Sequence, residues 1–449
     1  MKKKILSMLL SMVLTVACFT GCGSNPSSGG ETGGAASTET PKNPEDMYTV
    51  TMAVIGNDQE DMDLVEAEMN KILAEKVGAQ IDVITLGWGV YQQQLQLMLS
   101  GAEKLDLVPI MYNNVSTYVN SGQVLDMSDL IDQYGVNMKA ALGEDILKIA
   151  NMNGYVYGVP VEKEWYADSC LVMRKDILDK YNLDVSNVKS LADCAPIFET
   201  IHENEPDMKI IVGAKDSLIG NVYFADVLSD RFGVLDNGGA DTTIVNYYET
   251  DNYKNLAATV HDYYEKGYID KDMATSTDAG TTTLKAGNAF CFATPYKPGV
   301  AEQESLNTGY ELVAVRINPT PAFCYTNAVA AITWGIGQNC ENPEMTMKVL
   351  DYMYGDPELM NLFNWGIEGV HYVVKDAEND VIGFPDGVDA SNAKYNLNMG
   401  WELPNQYKIH VWEGSSRKIM DAQKEMNATA NKSKALGFMF DSTSVSNEI

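Results

Sequence analysis

The fold is decided by three short stretches, Tyr48-Thr-Val-Thr-Met-Ala-Val-Ile55, Ile81-Asp-Val-Ile-Thr-Leu86 and Leu105-Asp-Leu-Val-Pro-Ile110. Each is rich in β-branched and apolar residues, which predicts a buried strand. The two segments between them repeat apolar residues at helical spacing and stop at Gly78 and Gly101. Strand, helix, strand, helix and strand in this order predict parallel strands joined by right-handed crossovers. Ligands of such sheets bind beyond the carboxyl ends of the strands.

Upstream of these strands, the chain begins with a secretory signal. Three lysines at positions 2 to 4 precede an apolar run, Ile5 to Phe19, which is too short for a membrane span. We therefore expect residues 1–21 to be a signal peptide. The ending Phe19-Thr-Gly-Cys22 resembles a bacterial lipobox, in which Cys22 is lipidated and becomes the first mature residue. Plain secretion with an incidental Cys22 is one alternative, and a weaker lipobox ending at Cys18 is another.

Residues 22–46 predict a flexible tether, because they are mostly small or polar and cannot bury a core. No later segment reaches the roughly 18 uninterrupted apolar residues that a membrane span requires. Two or more acyl chains hold a protein stably on a membrane. The interpretation is a folded body leashed by lipid to the outer face of the cytoplasmic membrane.

Composition narrows the function of this body. The chain has 449 residues and a formal net charge of −30. Its length predicts two domains or a duplicated architecture. Its charge argues against nucleic acid and anionic membrane surfaces as partners, and favours a monomer. Five of its seven cysteines lie beyond the lipobox without metal-ligand spacing. Buried free thiols are the preferred interpretation of these five, and one or two disulfide bridges are the alternative.

Several phrases resemble the extracellular solute-binding proteins of ABC importers. Asn153-Gly-Tyr-Val-Tyr-Gly-Val-Pro160 is similar to the family's Asp-Gly-Lys-x-Tyr-Gly-Leu-Pro, and Leu97–Leu107, Gly122–Leu130 and Met173–Tyr181 resemble family segments in the same order. A closer similarity is to a subfamily of Gram-positive lipoproteins. Its motifs match Asn364-Trp-Gly-Ile-Glu-Gly-Val-His-Tyr372 and Gly437-Phe-Met-Phe-Asp441. Relatives continue past the second motif with further helices, so we expect this chain to stop short of its natural end.

The resemblance covers Tyr48 to Asp441 and implies an α/β fold of two lobes, each a mostly parallel sheet flanked by helices. Crossing hinge strands join the lobes, and a ligand cleft lies between them. The implied first lobe is residues 47–163 plus 322–365, and the second is 164–321 plus 366–449. The implied function is capture of an extracellular oligosaccharide or glycoside by lobe closure and delivery to ABC permease subunits. No cofactor or metal is implied.

Aromatic residues supply the candidate ligand site. Sugar recognition needs flat apolar faces for the pyranose ring and polar groups for its hydroxyls, and the chain has 24 Tyr and 6 Trp. The expected stacking platforms, at strand ends and lobe crossings, are Trp88, Tyr112, Trp165, Tyr166, Tyr296, Trp365 and Trp401. The expected hydrogen-bond partners are Asp58, Asn113, Glu164, Lys297 and Glu368. A structural tryptophan is the alternative for Trp365.

Catalytic signals are thin, so we expect a binding protein rather than an enzyme. The four histidines form no His-Glu-x-x-His, and no Gly-x-Ser-x-Gly elbow or phosphate loop occurs in the sequence. Asp376-Ala-Glu-Asn-Asp380 resembles half a calcium loop, but Val381 replaces the glycine of its sharp turn, and a hairpin is the preferred interpretation. The rivals are an exported carbohydrate-active enzyme with an acidic pair, a peptide-binding lipoprotein and an adhesive surface protein.

Overall fold

The computed structural model describes residues 46–441, 445 and 447–448, apart from 102, 216, 221–223, 229–232, 319 and 390–391. The predicted signal peptide, Cys22 and the tether up to residue 45 lie outside the described residues. Within the described part, no helix is both long and apolar enough to cross a membrane.

Most strands are short, and the longest have seven or eight residues. In chain order, β1 to β20 are Tyr48–Ile55, Ala79–Leu86, Leu107–Met111, Asn151–Met152, Tyr155–Val156, Val159–Pro160, Tyr166–Ala167, Ser169–Arg174, Lys209–Val212, Ala225–Asp226, Gly233–Leu235, Ile244–Asn246, Ala289–Pro295, Leu312–Arg316, Phe323–Cys324, Ile332–Ile336, Val373–Asp376, Val381–Gly383, Val411–Trp412 and Asn431–Lys432.

The helices lie between these strands. In chain order, α1 to α17 are Met62–Lys76, Tyr91–Ser100, Val115–Asn120, Ser128–Tyr134, Val136–Leu142, Glu144–Leu147, Lys175–Lys180, Ala195–Asn204, Ser217–Gly220, Asp236–Gly239, Asp251–Glu265, Gly280–Lys285, Val300–Thr308, Thr326–Val329, Pro343–Gly355, Pro357–Trp365 and Arg417–Thr429. The predicted start of α15 is confirmed: the Asn342 side chain accepts a hydrogen bond from the Met345 N–H, and Pro343 occupies the first helical position.

The first lobe is built on a five-stranded sheet of order β2-β1-β3-β16-β6. β1 pairs in parallel with β2 along its whole length, from Tyr48 opposite Ala79 to Ile55 opposite Leu86. β3 is also parallel to β1. This arrangement confirms the strand–helix alternation predicted from the three opening stretches. It also places the carboxyl ends of β1, β2 and β3 at one edge of the sheet.

The second lobe is built on a four-stranded sheet of order β14-β8-β13-β9. β13 pairs in parallel with β9, and β8 runs antiparallel to both β13 and β14, so β14, β13 and β9 share one direction. β16 is likewise antiparallel to its neighbours in the first sheet. In each sheet one strand therefore runs against the others, β16 in the first sheet and β8 in the second, and the remaining strands share one direction, which agrees with the predicted mostly parallel sheets. β8 follows the crossing strand β7 directly, and the four-residue helix α14 separates β16 from the crossing strand β15, so no long helical crossover fixes the direction of either strand.

Three short strands join the lobes in a small sheet of order β20-β15-β7. β15 pairs antiparallel with β7 and parallel with β20, at Phe323 opposite Ala167 and Phe323 opposite Asn431. β7 and β15 lie where the chain passes from one main sheet to the other, and β20 follows α17 near the end of the described chain. We call this sheet the crossing sheet.

The segment from residue 366 to 412 packs on the first lobe, whereas the sequence-based boundaries counted it with the second. Tyr372, Ile382, Tyr395 and Leu403 share a core with the strands of the first sheet. The residues that follow reach the second lobe: Gln423 Nε2, on α17, donates to the Pro298 carbonyl at 3.1 Å, and Ser433 Oγ donates to Asp226 Oδ2 at 2.6 Å. We therefore propose a domain boundary after residue 412 instead of before 366.

The five cysteines of the body are all free, which confirms the preferred interpretation. Cys170, Cys194, Cys291 and Cys324 are buried, and Cys340 is half-buried. Burial raises the pKa of the Cys194 thiol and of the Cys324 thiol to about 12. These thiols pack as small apolar side chains and carry no reactive thiolate.

Candidate functional site

The site begins at the edge of the first sheet where β1, β2 and β3 end. Asn57 and Asp58 follow β1 and are exposed. Trp88 follows β2, and Tyr112 and Asn113 form a short 3₁₀ turn directly after β3. Asn113 is exposed, whereas Tyr112 is half-buried and its N–H donates to the Ala331 carbonyl at 3.1 Å. The parallel pairing of the strands brings together these predicted residues from three separate loops.

An aromatic pair dominates this edge. The Trp88 and Trp401 rings are stacked, with centroids 5.7 Å apart and planes inclined by 28°. Tyr91 meets Trp88 edge-on at 6.2 Å between centroids. Trp401 is partly buried against the first-lobe core, whereas Trp88 is 48% exposed. Trp401 and Tyr91 thus pack against the Trp88 ring. About half of the Trp88 side chain stays exposed, which leaves indole surface available to a ligand.

A second group of predicted residues lies where the chain first crosses between the lobes. Glu164 Oε1 lies 3.5 Å from the Lys297 Nζ, and Glu164 Oε2 accepts a hydrogen bond from Gln406 Nε2 at 3.2 Å. Burial alone would raise the pKa of Glu164, but the ammonium groups of Lys163 and Lys297 outweigh it and lower the pKa to about 2. Glu164 and Lys297 were predicted as separate ligand partners, and the structure pairs them with each other.

Two tyrosines of this crossing region keep buried hydroxyl groups without a partner among the described residues. They are Tyr166, on β7, and Tyr407. Burial and the nearby Glu164 carboxylate both raise the pKa of each phenol. Both hydroxyls therefore stay protonated and can donate. Tyr296, half-buried after β13, lies beside them with the Arg316 guanidinium 5.4 Å from its ring centroid.

An ion pair between the buried Asp168 and the partly exposed Arg316 supports the start of β8. Arg316 Nη2 lies 2.5 Å from Asp168 Oδ2, and the Asp168 side chain is fully buried. Asp168 Oδ1 accepts the Ser169 N–H at 2.8 Å, and the Asp168 carbonyl accepts the Tyr296 N–H at 3.0 Å. Sequence reasoning missed this pair and Gln406. Arg316, Asp168 and Gln406 lie in no recognisable motif. Their contacts join residues that are far apart in the sequence, so no local pattern indicates them.

Trp165 and Trp365 are core residues, and the structure leaves neither with a face for a ligand. Trp165 is 7% exposed, and its Nε1 donates to the Val161 carbonyl at 2.9 Å. Trp365 is 4% exposed, its Nε1 donates to the His410 carbonyl at 3.1 Å, and its ring packs on Trp412. The structural alternative therefore describes Trp365. Glu368, in the turn after α16, is exposed and lies on the same C-terminal segment.

The half calcium loop is a hairpin turn. β17 and β18 pair antiparallel, and Asp376 Oδ1 accepts the N–H groups of Glu378 and Asn379 at 3.0 and 3.2 Å. Asp380 is paired with His410 and Arg417. Among the described residues, no group of three or more His, Cys, Asp or Glu side chains could hold a metal ion.

Two α/β lobes, a three-stranded crossing sheet and an exposed aromatic pair at a strand-end edge define a two-lobed solute-binding protein. The chain belongs to the bacterial extracellular solute-binding protein family, whose model matches residues 56–359. It is 28% identical over 407 residues to a carbohydrate ABC transporter substrate-binding protein of Streptococcus pneumoniae, covering 90% of this chain and 81% of the relative.

Solved structures give the same result. The N-glycan transport solute-binding protein NgtS of Streptococcus pneumoniae is 26% identical and superposes with a TM-score of 0.77, covering 89% of this chain and 87% of that one. Over the same shares of both chains, the complexes of that protein with Man1GlcNAc and Man5GlcNAc superpose with TM-scores of 0.70 and 0.67, at 26% and 27% identity.

Proposed function

We propose that this protein captures an extracellular oligosaccharide between its two lobes and delivers it to the permease of an ABC importer. The open indole face of Trp88, supported by Trp401, is the observation that carries the proposal. Sugar rings present C–H groups on one face, and a flat aromatic face is their complement. The carbohydrate named for the pneumococcal relatives supports the same ligand class.

The polar partners of the proposed site come from both lobes. Asp58 and Asn113 are exposed beside the aromatic pair, and Lys297 and Tyr296 follow β13 of the second lobe. A ligand that contacts both groups stabilises the closed arrangement, because only closure brings the two sets of contacts together.

Delivery requires the protein to stay near its permease. The basic start, the apolar run and Cys22 support a lipid anchor on the extracellular side of the cytoplasmic membrane. The tether would let the body reach the permease while remaining bound. A monomer is the expected form in this scheme, since the net charge of −30 makes copies of the chain repel one another.

The enzyme alternative lacks an accessible acid in the described part of this region, because the Glu162 and Asp168 carboxyl groups, whose pKa burial raises, are both buried. A glycosidase needs a carboxylic acid with a raised pKa that can reach the glycosidic oxygen. Glu164 has the opposite property, because neighbouring ammonium groups lower its pKa to about 2 despite its burial. Burial raises the pKa of Glu402 to about 8, but its side chain is completely buried and cannot reach a substrate. We therefore propose binding without turnover.

A binding measurement tests the proposal. The purified body is titrated with Man1GlcNAc, Man5GlcNAc, kestose and a mixture of short peptides in a thermal-shift panel. A ligand at a hundredfold excess over its Kd stabilises the folded state by about 2.7 kcal/mol. We expect at least one oligosaccharide to raise the Tm and no peptide to do so. If only peptides raised the Tm, the protein would be assigned to peptide transport. Release of reducing sugar from an oligosaccharide would show that it is an enzyme.

The same panel locates the site. Trp88→Ala should weaken oligosaccharide binding at least tenfold, a loss of about 1.4 kcal/mol, because it removes the stacking surface. Tyr264→Ala is the matched control, since Tyr264 is also exposed but lies on α11 of the second lobe. Equal affinity of the wild type and the Trp88 variant would exclude Trp88 from the site.

A further inference from the structure

Glu402 is a fully buried carboxyl group directly beside the aromatic pair. Its relative exposure is 0%, and it follows Trp401 in the chain. Glu402 Oε1 accepts the Ile55 N–H at 2.8 Å. Ile55 is the last residue of β1, two positions before the exposed Asn57. A single side chain therefore connects the loop that carries Trp401 with the strand end that opens the proposed site.

The backbone of Glu402 adds two further anchors. Its carbonyl accepts the Trp334 Nε1–H at 2.8 Å, and its N–H donates to the Met399 carbonyl at 2.8 Å. Met399 in turn donates its N–H to Asn364 Oδ1 at 2.8 Å. The backbone of the loop is thus fixed to β16 and to α16. Among the hydrogen bonds of the described residues, the one from the Ile55 N–H to the Glu402 side chain joins this loop to β1.

The second oxygen of the carboxyl group has no hydrogen-bond partner among the described residues. Burial raises the pKa of Glu402 to about 8, and the Ile55 N–H offsets only part of that rise. The group is therefore mostly a neutral carboxylic acid at pH 7. The residues that hydrogen-bond to Glu402 are Ile55, Trp334 and Met399, and none of them carries a titratable group. No charge from these partners would compensate an ionised Glu402.

We propose that Glu402 is a positioning residue, which holds Trp401 in its stack with Trp88 by tying the 399–405 loop to the end of β1. The inference rests on the proposed function, because it assigns Glu402 a part in the same carbohydrate site without contact to the ligand. Loss of the hydrogen bond between the Ile55 N–H and the Glu402 side chain removes one of the contacts that fix the loop carrying Trp401. Trp88 then loses the ring that supports its inner face, and stacking of a sugar must reorder both indoles.

Two substitutions test the tie. Glu402→Ala removes the acceptor of the Ile55 N–H, whereas Glu402→Gln keeps an acceptor oxygen and nearly the same shape. We expect Glu402→Ala to lose the far-ultraviolet circular dichroism couplet of the two stacked indoles. It should also weaken binding of Man5GlcNAc at least tenfold. Glu402→Gln should retain the couplet and bind within threefold of the wild type. The reference for loss of the Trp88–Trp401 contribution is Trp401→Phe, because the Trp365 and Trp412 rings, with centroids 4.9 Å apart, keep a couplet of their own.

A stability-matched control separates positioning from general destabilisation. Ile201→Ala creates a cavity in the core of the second lobe, where Ile201 is fully buried on α8. It should lower the Tm while leaving the couplet and the Man5GlcNAc affinity unchanged. If Glu402→Ala keeps both the couplet and the affinity, the proposal is overturned. It is also overturned if Ile201→Ala loses them to the same extent.

The pH profile gives a readout that does not require the alanine variant to fold. Ionisation of Glu402 above about pH 8 places an uncompensated charge in the core, and the loop must open to hydrate it. The couplet of the wild type should therefore weaken between pH 7 and pH 9, and that of Glu402→Gln should stay constant. Identical profiles would overturn the proposal. Absence of oligosaccharide binding by the wild type would overturn the proposed function, whereas the couplet would still report whether Glu402 positions Trp401.

Discussion

Lys297 Nζ lies 3.5 Å from Glu164 Oε1, and this ion pair joins the second lobe to the segment on which the chain first crosses between lobes. Gln406, from the segment that packs on the first lobe, completes the contact by donating to the other Glu164 oxygen. A carboxylate that is shared in this way stabilises the observed arrangement of the crossing region.

The charge of Glu164 should be visible in the pH dependence of stability. Its pKa in the folded protein is about 2, below the ordinary value of 4.5. A depressed carboxyl pKa contributes stability that is present above the ordinary value and is lost as pH falls toward the folded-state value. We expect the difference in unfolding free energy between the wild type and Glu164→Gln to shrink between about pH 4.5 and pH 2. The full difference is on the order of 3 kcal/mol.

Urea unfolding at several pH values measures this difference. Glu358→Gln is the matched control, because Glu358 is an exposed carboxylate on α16. Its difference from the wild type should stay within about 0.5 kcal/mol at all pH values. A Glu164→Gln curve parallel to that of the wild type would show that Lys163 and Lys297 do not hold the carboxylate in solution.

Two buried tyrosines of the first lobe provide a matched pair for the cost of a hydroxyl group. Tyr157 and Tyr354 are both completely buried. The Tyr354 hydroxyl donates to the Pro160 carbonyl at 2.7 Å, whereas the Tyr157 hydroxyl has no partner among the described residues. Tyr354→Phe should lower the unfolding free energy by about 1–2 kcal/mol, because the buried Pro160 carbonyl loses the hydrogen bond from the Tyr354 hydroxyl.

Tyr157→Phe should leave the unfolding free energy unchanged or raise it by up to about 1 kcal/mol, because it removes a buried donor that makes no bond. Urea denaturation of both variants measures the contrast. A larger loss for Tyr157→Phe than for Tyr354→Phe would mean that the Tyr157 hydroxyl has a partner in solution, such as a buried water molecule.

Trp365 and Trp88 should respond oppositely to substitution. Trp365→Phe removes the hydrogen bond from Nε1 to the His410 carbonyl and part of the packing on Trp412. It should lower stability by about 1–3 kcal/mol and leave the affinity for Man5GlcNAc within threefold of the wild type. Trp88→Ala should lower affinity without a comparable loss of stability, because Trp88 is half exposed. Chemical denaturation and calorimetric titration of both variants distinguish the roles, and a tenfold affinity loss for Trp365→Phe would return that residue to the site.

These tryptophans differ in whether their roles could be predicted from the sequence. The β1–β2–β3 arrangement was predictable, because each strand there is rich in β-branched and apolar residues, and each helix is marked by its periodicity and a terminal glycine. Trp88 follows a strand whose end could be read from that pattern. Trp165 and Trp365 also lie at element ends, but their burial depends on Val161, His410 and Trp412. Nothing local in the sequence indicates those contacts.

The packing of residues 366–412 was unpredictable for the same reason. Only long-range contacts bring this segment to the first lobe, such as the hydrogen bond from Ile55 to Glu402, which joins residues 347 positions apart. Periodicity predicts a strand but not its orientation, so the reversed strand of each sheet, β16 or β8, could not be identified from the sequence. Resemblance to a family supplied the two-lobed plan, but it did not supply the aromatic pair, since Trp401 meets Trp88 only in three dimensions.

The lipid anchor is tested with the full chain, expressed in a Gram-positive host that processes lipoproteins. Cys22→Ser removes the thiol that would be acylated, so labelled palmitate should no longer enter the protein and the protein should move from the membrane fraction to the medium. Each buried CH₂ of an acyl chain contributes about 0.8 kcal/mol, so loss of the chains should release nearly all of the protein. Cys18→Ser is the control for the alternative lipobox and should keep both the label and the membrane fraction. If the Cys22→Ser variant kept the label, or if only the Cys18→Ser variant lost it, the anchor would be assigned to Cys18. If the wild type carried no label, plain secretion would explain the N-terminal sequence.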